Sequence, residues 1–326
     1  MKAITQIHKF KEGADIRGFF LCVEKHIRNT RSGDPYLDLI LRDKTGQITA
    51  KVWKEVGEYQ DKFSAGDAVV VAGQVDFYLD KLQLNIKKIN VASVQDYGRY
   101  GYDPALIVPS SEKDPKQMWK ELTAYIKNIN NKHLKQLVSS IYKEYESSLL
   151  THPASVVMHH NYRSGLIEHT LSMAQIGISL AKHYEVDIDL LMTGIFLHDI
   201  GKVKEITSEL EASYSDDGNL IGHIVLGRDI VVNAANKISG FPPELLQKVE
   251  HLILSHQGLY EWQSPKKPKM LEALLLHLID NMDAKMNLMK KAISEDVEEG
   301  KWTSRRNYFR IPILKNNLSK GIDGSK

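Results

Sequence analysis

The sequence is poor in cysteine and lacks any long apolar run. Cys22 is the single cysteine among 326 residues, so no disulfide can form within the chain, as is usual in a reducing compartment. No apolar stretch approaches the roughly 20 residues that a membrane-spanning helix requires. The first residues, Met1-Lys2-Ala3, do not begin a signal peptide. We therefore expect a cytoplasmic globular protein with no membrane partner, in which Cys22 is a small core residue.

Neither sign of charge is in large excess. The chain has 43 Lys and Arg against 41 Asp and Glu, a net charge of +2, which neither favours nor excludes a polyanionic partner. Basic residues concentrate at the end, where residues 301–326 hold seven Lys or Arg and one acid. The tail residues that would contact a polyanion or a neighbouring subunit are Arg305, Arg306, Tyr308 and Arg310. A solvated, disordered terminus explains this composition equally well.

The N-terminal part of the chain alternates between apolar and polar residues as β-strands do. Ile48, Ala50 and Val52 fall on one face of a strand, and the residues between them fall on the other. The predicted strands are Ile16–Lys25, Tyr36–Leu41, Gln47–Trp53, Val69–Phe77 and Leu82–Val91, with a short helix at Lys54–Phe63. A helix between the third and fourth of five strands is the OB-fold arrangement, so the pattern predicts a five-stranded OB-like barrel.

Helical periodicity replaces this alternation in the second part of the chain. A stretch with Gly and Pro, Tyr97 to Ser111, is predicted as a linker, and Asp114-Pro115 then suits a helix N-cap and first residue. Further helices are predicted at about 133–150, 165–184, 187–198, 221–237, 242–256 and 267–293. The predicted fold class is multidomain α+β, an OB-like barrel followed by an all-α domain. The predicted limits are barrel 1–97, linker and connecting helices 98–150, helical domain 151–293 and basic tail 294–326.

The strongest chemical signal is the segment Phe196–Lys202, in which an apolar helix ends in His198-Asp199 and a glycine follows. An imidazole beside a carboxylate at a helix end can bind one divalent ion or bridge two. Residues of the same kinds lie within apolar helical patterns at His169, His223, His256 and Asp280. Each alone is more simply a hydrogen-bonded residue, but together they are not explained by packing. The set suits Mn, Fe, Co, Zn or Ni, and the shortage of cysteine excludes a thiolate site.

These residues resemble the H…HD…D signature of HD-superfamily phosphohydrolases. His169, His198-Asp199 and Asp280 match the signature, and His223 and His256 are similar to the extra ligands of HD proteins that hold two metals. The flanking stretches His159–Leu171 and Leu278–Lys285, behind an OB-like barrel, resemble the YhaM family of 3′–5′ exoribonucleases. The resemblance covers nearly the whole chain.

The resemblance implies a two-metal hydrolytic site and a single-stranded RNA substrate, with DNA left open. One ion would be held by His169, His198, Asp199 and Asp280, with Asp199 bridging to a second ion at His223 and His256. Mn or Co fits the family best, and Fe or Zn is compatible with the ligands. Metal-activated hydroxide would attack the terminal phosphodiester and release nucleoside 5′-monophosphates. Homo-oligomers are compatible with the sequence.

Other candidate site residues follow from position alone. Lys202, assigned with Asp199 to catalysis, would reach a phosphate oxygen or else face solvent at a helix end. His160 and Arg163 would contact phosphate, and Asp283 would orient a ligand or touch substrate. Those proposed on the barrel for base stacking or phosphate contact are Trp53, Tyr36, Phe77, Tyr78, Lys44, Lys51 and Lys81. Alternatively, Trp53 and Phe77 cap the barrel core.

Two other functions remain open at this point. The first is an HD-type hydrolase of nucleotides or cyclic dinucleotides, in which the barrel serves regulation or assembly. The second is a non-catalytic nucleic-acid-binding protein with a structural metal site. The barrel argues against the first, because a small-nucleotide hydrolase needs no single-strand platform. The complete ligand set argues against the second.

Overall fold

The computed structural model describes residues 4–207 and 210–315 and divides the chain into two compact units. One unit comprises Met1–Ser111 with Ser208–Ala212, and the other comprises Glu112–Thr207 with Ser213–Lys326. The four domain limits predicted from the sequence stay a prediction. Within the described residues, no helix is both long and apolar enough to cross a membrane.

The strands and helices follow one another in two blocks. In chain order they are β1 (Asp15–Asn29), β2 (Pro35–Asp43), β3 (Gly46–Val52), α1 (Val56–Tyr59), β4 (Ala68–Tyr78), β5 (Lys81–Val91), α2 (Val94–Tyr97), α3 (Pro115–Lys127), α4 (Lys132–Glu144), α5 (Glu146–Leu149), α6 (Gly165–Tyr184), α7 (Ile188–Leu197), α8 (Lys202–Glu205), α9 (Asp216–Leu220), α10 (His223–Ala235), α11 (Pro243–Ser255) and α12 (Leu271–Ser294).

The first unit is a closed barrel with strand order β1-β2-β3-β5-β4. Strands β3 and β5 are parallel, and the other neighbours are antiparallel. The alternating apolar residues face inward in register: Leu39 pairs with Ala50 and Leu41 with Ile48, and all four are buried. The predicted OB-like barrel is confirmed, including the short helix after β3. Cys22 is fully buried in β1, as expected of a core residue.

The stretch predicted as a linker is packed rather than extended. Tyr102, Ile107 and Val108 are buried in one cluster with Phe19 and Leu21 of β1. A Gly- and Pro-rich composition indicates turns, and here the turns fold the chain back onto the barrel. This part of the linker prediction is therefore wrong.

The second unit is helical, and its long helices lie where the periodicity predicted them. Asp114 caps α3 by accepting a hydrogen bond from the Lys116 N–H at 3.0 Å, with Pro115 as the first helical residue. One apolar core joins α3, α4, α6, α7, α10, α11 and α12. Helix α7 is buried on every side, since Leu190 to Leu197 are all inaccessible to solvent or nearly so. The core therefore fixes the helix end that precedes His198.

A short folded segment follows α12. Asp296 forms an ion pair with Lys315, and the Thr303 N–H donates to the Ile313 carbonyl at 2.9 Å. Thr303 and Ile313 are both buried. Up to Lys315 the tail is thus ordered, and the alternative of a disordered terminus is wrong there. The remaining predicted basic tail, residues 316–326, lies outside the described residues.

Candidate metal centre

Five helices bring the predicted metal ligands to one place. His169 lies in the second turn of α6, His198 and Asp199 directly follow α7, His223 begins α10, His256 directly follows α11, and Asp280 lies in α12. Their ligand atoms form two groups, each within 4.8 Å: His169, His198 and Asp280, and Asp199, His223 and His256. All are buried except His223, which is partly exposed.

The two oxygens of Asp199 face the two groups separately. Oδ1 lies 3.6 Å from Nε2 of His223 and 3.8 Å from Nε2 of His256. Oδ2 lies 3.2 Å from Nε2 of His198 and 3.9 Å from Nε2 of His169. A carboxylate between two sets of ligands has the arrangement that bridging two ions requires.

In each of the four histidine ligands, Nδ1 forms a hydrogen bond outside the metal centre and Nε2 points into the centre. His198 and His256 bond through Nδ1 to the backbone carbonyls of Ile195 (2.9 Å) and Ile253 (2.7 Å). A carbonyl accepts hydrogen bonds and cannot donate them, so Nδ1 carries the proton and the neutral ring keeps a lone pair on Nε2. These two rings are therefore fixed in the form that ligates a metal.

Carboxylates orient the other two rings. His169 Nδ1 lies 2.7 Å from Asp283 Oδ2, and His223 Nδ1 lies 3.0 Å from Glu205 Oε1. Ser172 also donates to Asp283, and the His223 backbone N–H donates to Glu205 at 3.0 Å. Carboxylate–histidine pairs of this kind hold the ligands of metal sites in position.

The residues fit a bound cation. Among the described residues, buried polar atoms without a hydrogen-bond partner include Nε2 of His169, His198 and His223 and Oδ1 of Asp199. Lone pairs on imidazole nitrogen facing carboxylate oxygen repel each other, and leaving them buried and unpaired is costly. A divalent ion between them removes both costs. Imidazole and carboxylate donors suit Mn, Fe, Co, Ni or Zn.

The charges of the buried groups at this centre also favour a bound cation. Burial lowers the pKa of His169, but its contacts with Asp280 and Asp283 outweigh burial and raise the pKa to about 9. Burial, reinforced by the charge of His198, lowers the pKa of His256 to about 3. Although burial opposes it, Lys202 holds the pKa of Asp199 well below its usual range. The carboxylates therefore stay ionised and attract a cation or, without one, a proton.

Lys202 is at the centre and does not face solvent. It is the first residue of α8, is buried, and donates from Nζ to Asp199 Oδ2 at 2.6 Å. The alternative of a solvated cation at a helix C-terminus is wrong, because the turn after His198-Asp199 starts a new short helix here.

His160 and Arg163 differ in position from their neighbour His159. His160 is buried beside Asp283, 3.8 Å away, and its N–H donates to the Asn287 side chain at 3.0 Å. Arg163 is partly buried just before α6. Neither is among the described residues that line the cavity over the metal centre, whereas His159 is. Burial lowers the pKa of His159 to about 3, so this ring is neutral.

His159 does not complete a third metal site. It forms a possible ligand group with His160 and His169. Because Asp283 occupies Nδ1 of His169, that ring has one nitrogen left, which already faces Asp280 at 3.3 Å. One nitrogen serves one ion, so the group is not independent.

The sequence patterns did not predict His159 and Glu205 as site residues. His159 appeared only as the first residue of the stretch His159–Leu171, which resembles the YhaM family. Glu205 has no signal of its own in the sequence, because its role depends on the turn that brings α8 against the start of α10. Asp283, in contrast, lies one turn from Asp280, and its predicted orienting position agrees with its contact with His169.

The cavity over the metal centre has a volume of about 640 Å³. His159, Lys202, His223 and Asp280 contribute to its lining. This volume lies within the range of roughly 300–1,000 Å³ usual for small-ligand pockets. The cavity therefore suits the end of a strand or a single nucleotide.

On the barrel, three of the proposed aromatic residues, Trp53, Phe77 and Tyr78, are exposed, and Tyr36 is partly buried. Trp53 stacks on Tyr36 with ring centroids 4.7 Å apart, and its Nε1 donates to Asn85 at 3.0 Å. Trp53 and Phe77 are 47% and 49% exposed, so neither caps the core. Lys51 is engaged by Asp38 at 2.5 Å, which leaves it less available to phosphate. The exposed Tyr78 pairs with Lys81 across the β4–β5 turn, and Lys44 is exposed at the β2–β3 turn.

In the folded tail, Arg305, Arg306 and Arg310 are exposed, and Tyr308 lines the cavity of the metal centre.

Two parts of the chain match known protein families. Residues 166–285 match the HD domain family, and residues 22–92 match a family of OB-fold nucleic acid binding domains. The second OB-fold domain of replication protein A from Methanococcus maripaludis aligns with 28% of this chain and 96% of its own, at 20% identity and a TM-score of 0.24. Fold and site together define an HD-domain protein that carries an OB-fold barrel.

The curated relatives specify the family further. The 3′–5′ exoribonuclease YhaM of Oceanobacillus iheyensis is 36% identical over 294 residues, which cover 90% of this chain and 91% of the relative. The 3′–5′ exoribonuclease YhaM of Shouchella clausii is 37% identical over 300 residues, 92% of each chain. The chain belongs to the YhaM family of 3′–5′ exoribonucleases.

Proposed function

We propose that this protein hydrolyses single-stranded RNA from the 3′ end, with divalent metal, and releases nucleoside 5′-monophosphates. The observation that carries the proposal is the convergence of four Nε2 atoms on two buried carboxylates, with most of these atoms lacking a hydrogen-bond partner. The same centre lies in a cavity of strand-end size.

The first ion would be held by His169, His198 and Asp280, the second by His223 and His256, and Asp199 would bridge them. Bound divalent ions supply a lowered pKa for water and neutralise charge on phosphoryl oxygens. Mn or Co is the proposed metal, with Fe and Zn compatible with the ligands.

The chain's own residues supply position and charge. Asp283 and Glu205 hold His169 and His223 with Nε2 directed inward. Lys202 brings a fixed positive charge to the cavity lining, where a phosphoryl oxygen carries negative charge. The neutral His159 offers a hydrogen bond to the same phosphate. In the reaction, water adds to the terminal phosphorus and loses a proton, and the bond from phosphorus to the 3′ oxygen of the preceding nucleotide breaks. That oxygen takes up a proton, so the products are a shortened RNA with a free 3′ hydroxyl and a nucleoside 5′-monophosphate.

The barrel would bind the strand ahead of its end. The stacked Trp53 and Tyr36 and the exposed Phe77 and Tyr78 provide ring faces on which bases stack regardless of sequence. Preference for RNA over DNA, homo-oligomerisation, RNA contact by Arg305 and Arg306, and cytoplasmic location stay predictions.

The test uses chelator-stripped protein and 5′-labelled single-stranded RNA, with and without added Mn²⁺ or Co²⁺. The expected result is a metal-dependent ladder that shortens from the 3′ end, with 5′-monophosphates as products. Asp199→Ala should abolish the ladder and retain RNA binding, and Asp61→Ala, at an exposed barrel position, should behave as wild type. No cleavage with any divalent metal would overturn the proposal and favour a hydrolase of small or cyclic nucleotides.

A further inference from the structure

The cavity of the metal centre has an aromatic side that the proposed mechanism does not use. Trp262, Tyr214 and Tyr308 line it together with Asp280 and His223. Trp262 is 40% exposed and Tyr308 is 49% exposed. Large rings left open beside a buried polar centre indicate a surface that a ligand covers.

Trp262 lies in the turn that follows the metal ligand His256 at the end of α11. It ends the short 3-10 helix Tyr260–Trp262, and its ring centroid lies 6.1 Å from that of His277. His277 bonds through Nδ1 to the His256 carbonyl at 2.9 Å. The ring of Trp262 is therefore held at a set position relative to the end of α11.

Gly258 makes this close packing possible. A Cβ at this position would lie 2.4 Å from the His277 ring, and the residue has a φ of +75°. Only glycine accepts both conditions. The turn from His256 to Trp262 is thus built tightly against α12.

A cation accompanies the ring. Nζ of Lys285 lies 5.7 Å from the centroid of Trp262. Lys285 also lines the cavity and follows Asp280 on α12 by little more than one turn. An exposed ring with an ammonium group over it, close to the proposed metal centre, matches a base stacked on the free part of the ring and its attached phosphate.

We propose that Trp262 and Lys285 form the binding site for the 3′-terminal nucleotide, with the base stacked on Trp262 and Lys285 beside its phosphate. This assignment rests on the proposed exoribonuclease function. Because every base has a π face, such a site accepts any terminal nucleotide. The volume of about 640 Å³ limits the site to a strand end.

The experiment uses the full-length protein with Asp199→Ala, so that RNA binds and is not consumed. The probe is a short single-stranded RNA with 2-aminopurine at its 3′ end, since stacking quenches the fluorescence of this base. We expect quenching on binding, and loss of most of it with Trp262→Ala, with affinity weakened roughly 5- to 100-fold as for one lost base–aromatic stack. Trp262→Phe should restore part of the quenching.

Trp302→Ala is the matched control, because Trp302 belongs to the same unit, is 52% exposed and is not among the described residues lining the cavity. It should quench as the parent does. Moving 2-aminopurine to an internal position should make quenching independent of Trp262. In the active protein, Trp262→Ala should raise KM for a dinucleotide and change kcat little.

Equal quenching with Trp262→Ala and Trp302→Ala would overturn the site and leave the proposed function intact if wild type shortens RNA. An inactive wild type would instead overturn the proposed function. Loss of quenching that Trp262→Phe does not restore, with unchanged metal content, would point to a structural role for Trp262 and also overturn the site.

Discussion

Glu205 holds His223 from behind the metal centre. Its Oε1 accepts from both the ring and the backbone N–H of His223 at 3.0 Å. We expect Glu205→Gln to lower metal affinity or activity about 10- to 100-fold, as for other partners of metal-bound histidines. Metal content and hydrolysis rate measure the effect, and Glu244→Gln at an exposed site is the control. Unchanged metal affinity would remove the orienting role.

The metal-free protein should be most stable near pH 6.5. The pKa of His169 is raised to about 9, so its stabilisation is complete below the unfolded value of about 6.5 and is lost as pH rises to 9. The pKa of His256 is lowered to about 3, so below about 6.5 the unfolded state takes up a proton that the folded state does not, and stability falls.

Calorimetry of chelator-treated protein across pH should show both the alkaline limb, the loss of stability above about pH 6.5, and the acid limb, the loss below it. The alkaline limb amounts to roughly 3 kcal/mol at most. His169→Gln should flatten the alkaline limb alone. Constant stability of the wild-type protein between pH 6.5 and 9 would contradict the high pKa of His169.

At the residue scale, the sequence predicts the metal ligands better than it predicts the residues that contact and orient them. His198 and Asp199 are recognisable because chemistry restricts the residues that bind metal. The pattern predicted that the helix ends at His198-Asp199, but it did not predict the new short helix that begins at Lys202 and places this side chain against Asp199. The role of Glu205 depends on its contact with His223, 18 residues further along the chain, and local sequence patterns do not predict such contacts.

At the scale of elements, the turn after α7 crosses the start of α10 with almost no space between them. A Cβ on Gly201 would lie 1.9 Å from the His223 carbonyl oxygen and 2.6 Å from the Gly227 nitrogen. Both neighbours are backbone, so they cannot move aside singly. The glycine after His198-Asp199 therefore serves close approach, and the approach places His223 beside Asp199.

Gly201→Ala should push α10 away from the centre. We expect a loss of roughly 1–3 kcal/mol in the free energy of unfolding and weakened binding at the ion shared by His223 and His256. Thermal denaturation and metal titration measure the two effects. Gly57→Ala is the control, since no atom lies within 4 Å of its added Cβ. If Gly201→Ala bound metal as tightly as wild type, the close approach at Gly201 would not be what places His223 beside Asp199.

Periodicity predicted most elements because each long helix or strand places one apolar face in a core. Helix α6 was predicted at 165–184 and spans Gly165–Tyr184. Strand β1 continues to Asn29, past its predicted end at Lys25, because pairing with β2 extends there without an apolar face. The short helix α9 buries no residue, so it has no apolar periodicity from which it could be predicted.

At the scale of the whole molecule, a net charge of +2 gives little long-range attraction for RNA, so affinity depends on local contacts. We expect log affinity for single-stranded RNA to fall linearly with log salt, by about 0.7 per neutralised phosphate. Lys81→Met should reduce this slope more than Lys51→Met, because Lys51 is paired with Asp38. Anisotropy titrations over a salt series measure both slopes, and a flat response would exclude phosphate contacts.

The backbone carbonyls of Ile195 and Ile253 have a consequence for mutational scanning. They orient His198 and His256, but any amino acid at those positions supplies the same carbonyl. An alanine scan would thus register Glu205 and Asp283 as supports of the centre. At Ile195 and Ile253 it would register only lost packing, so half of the supports would pass undetected.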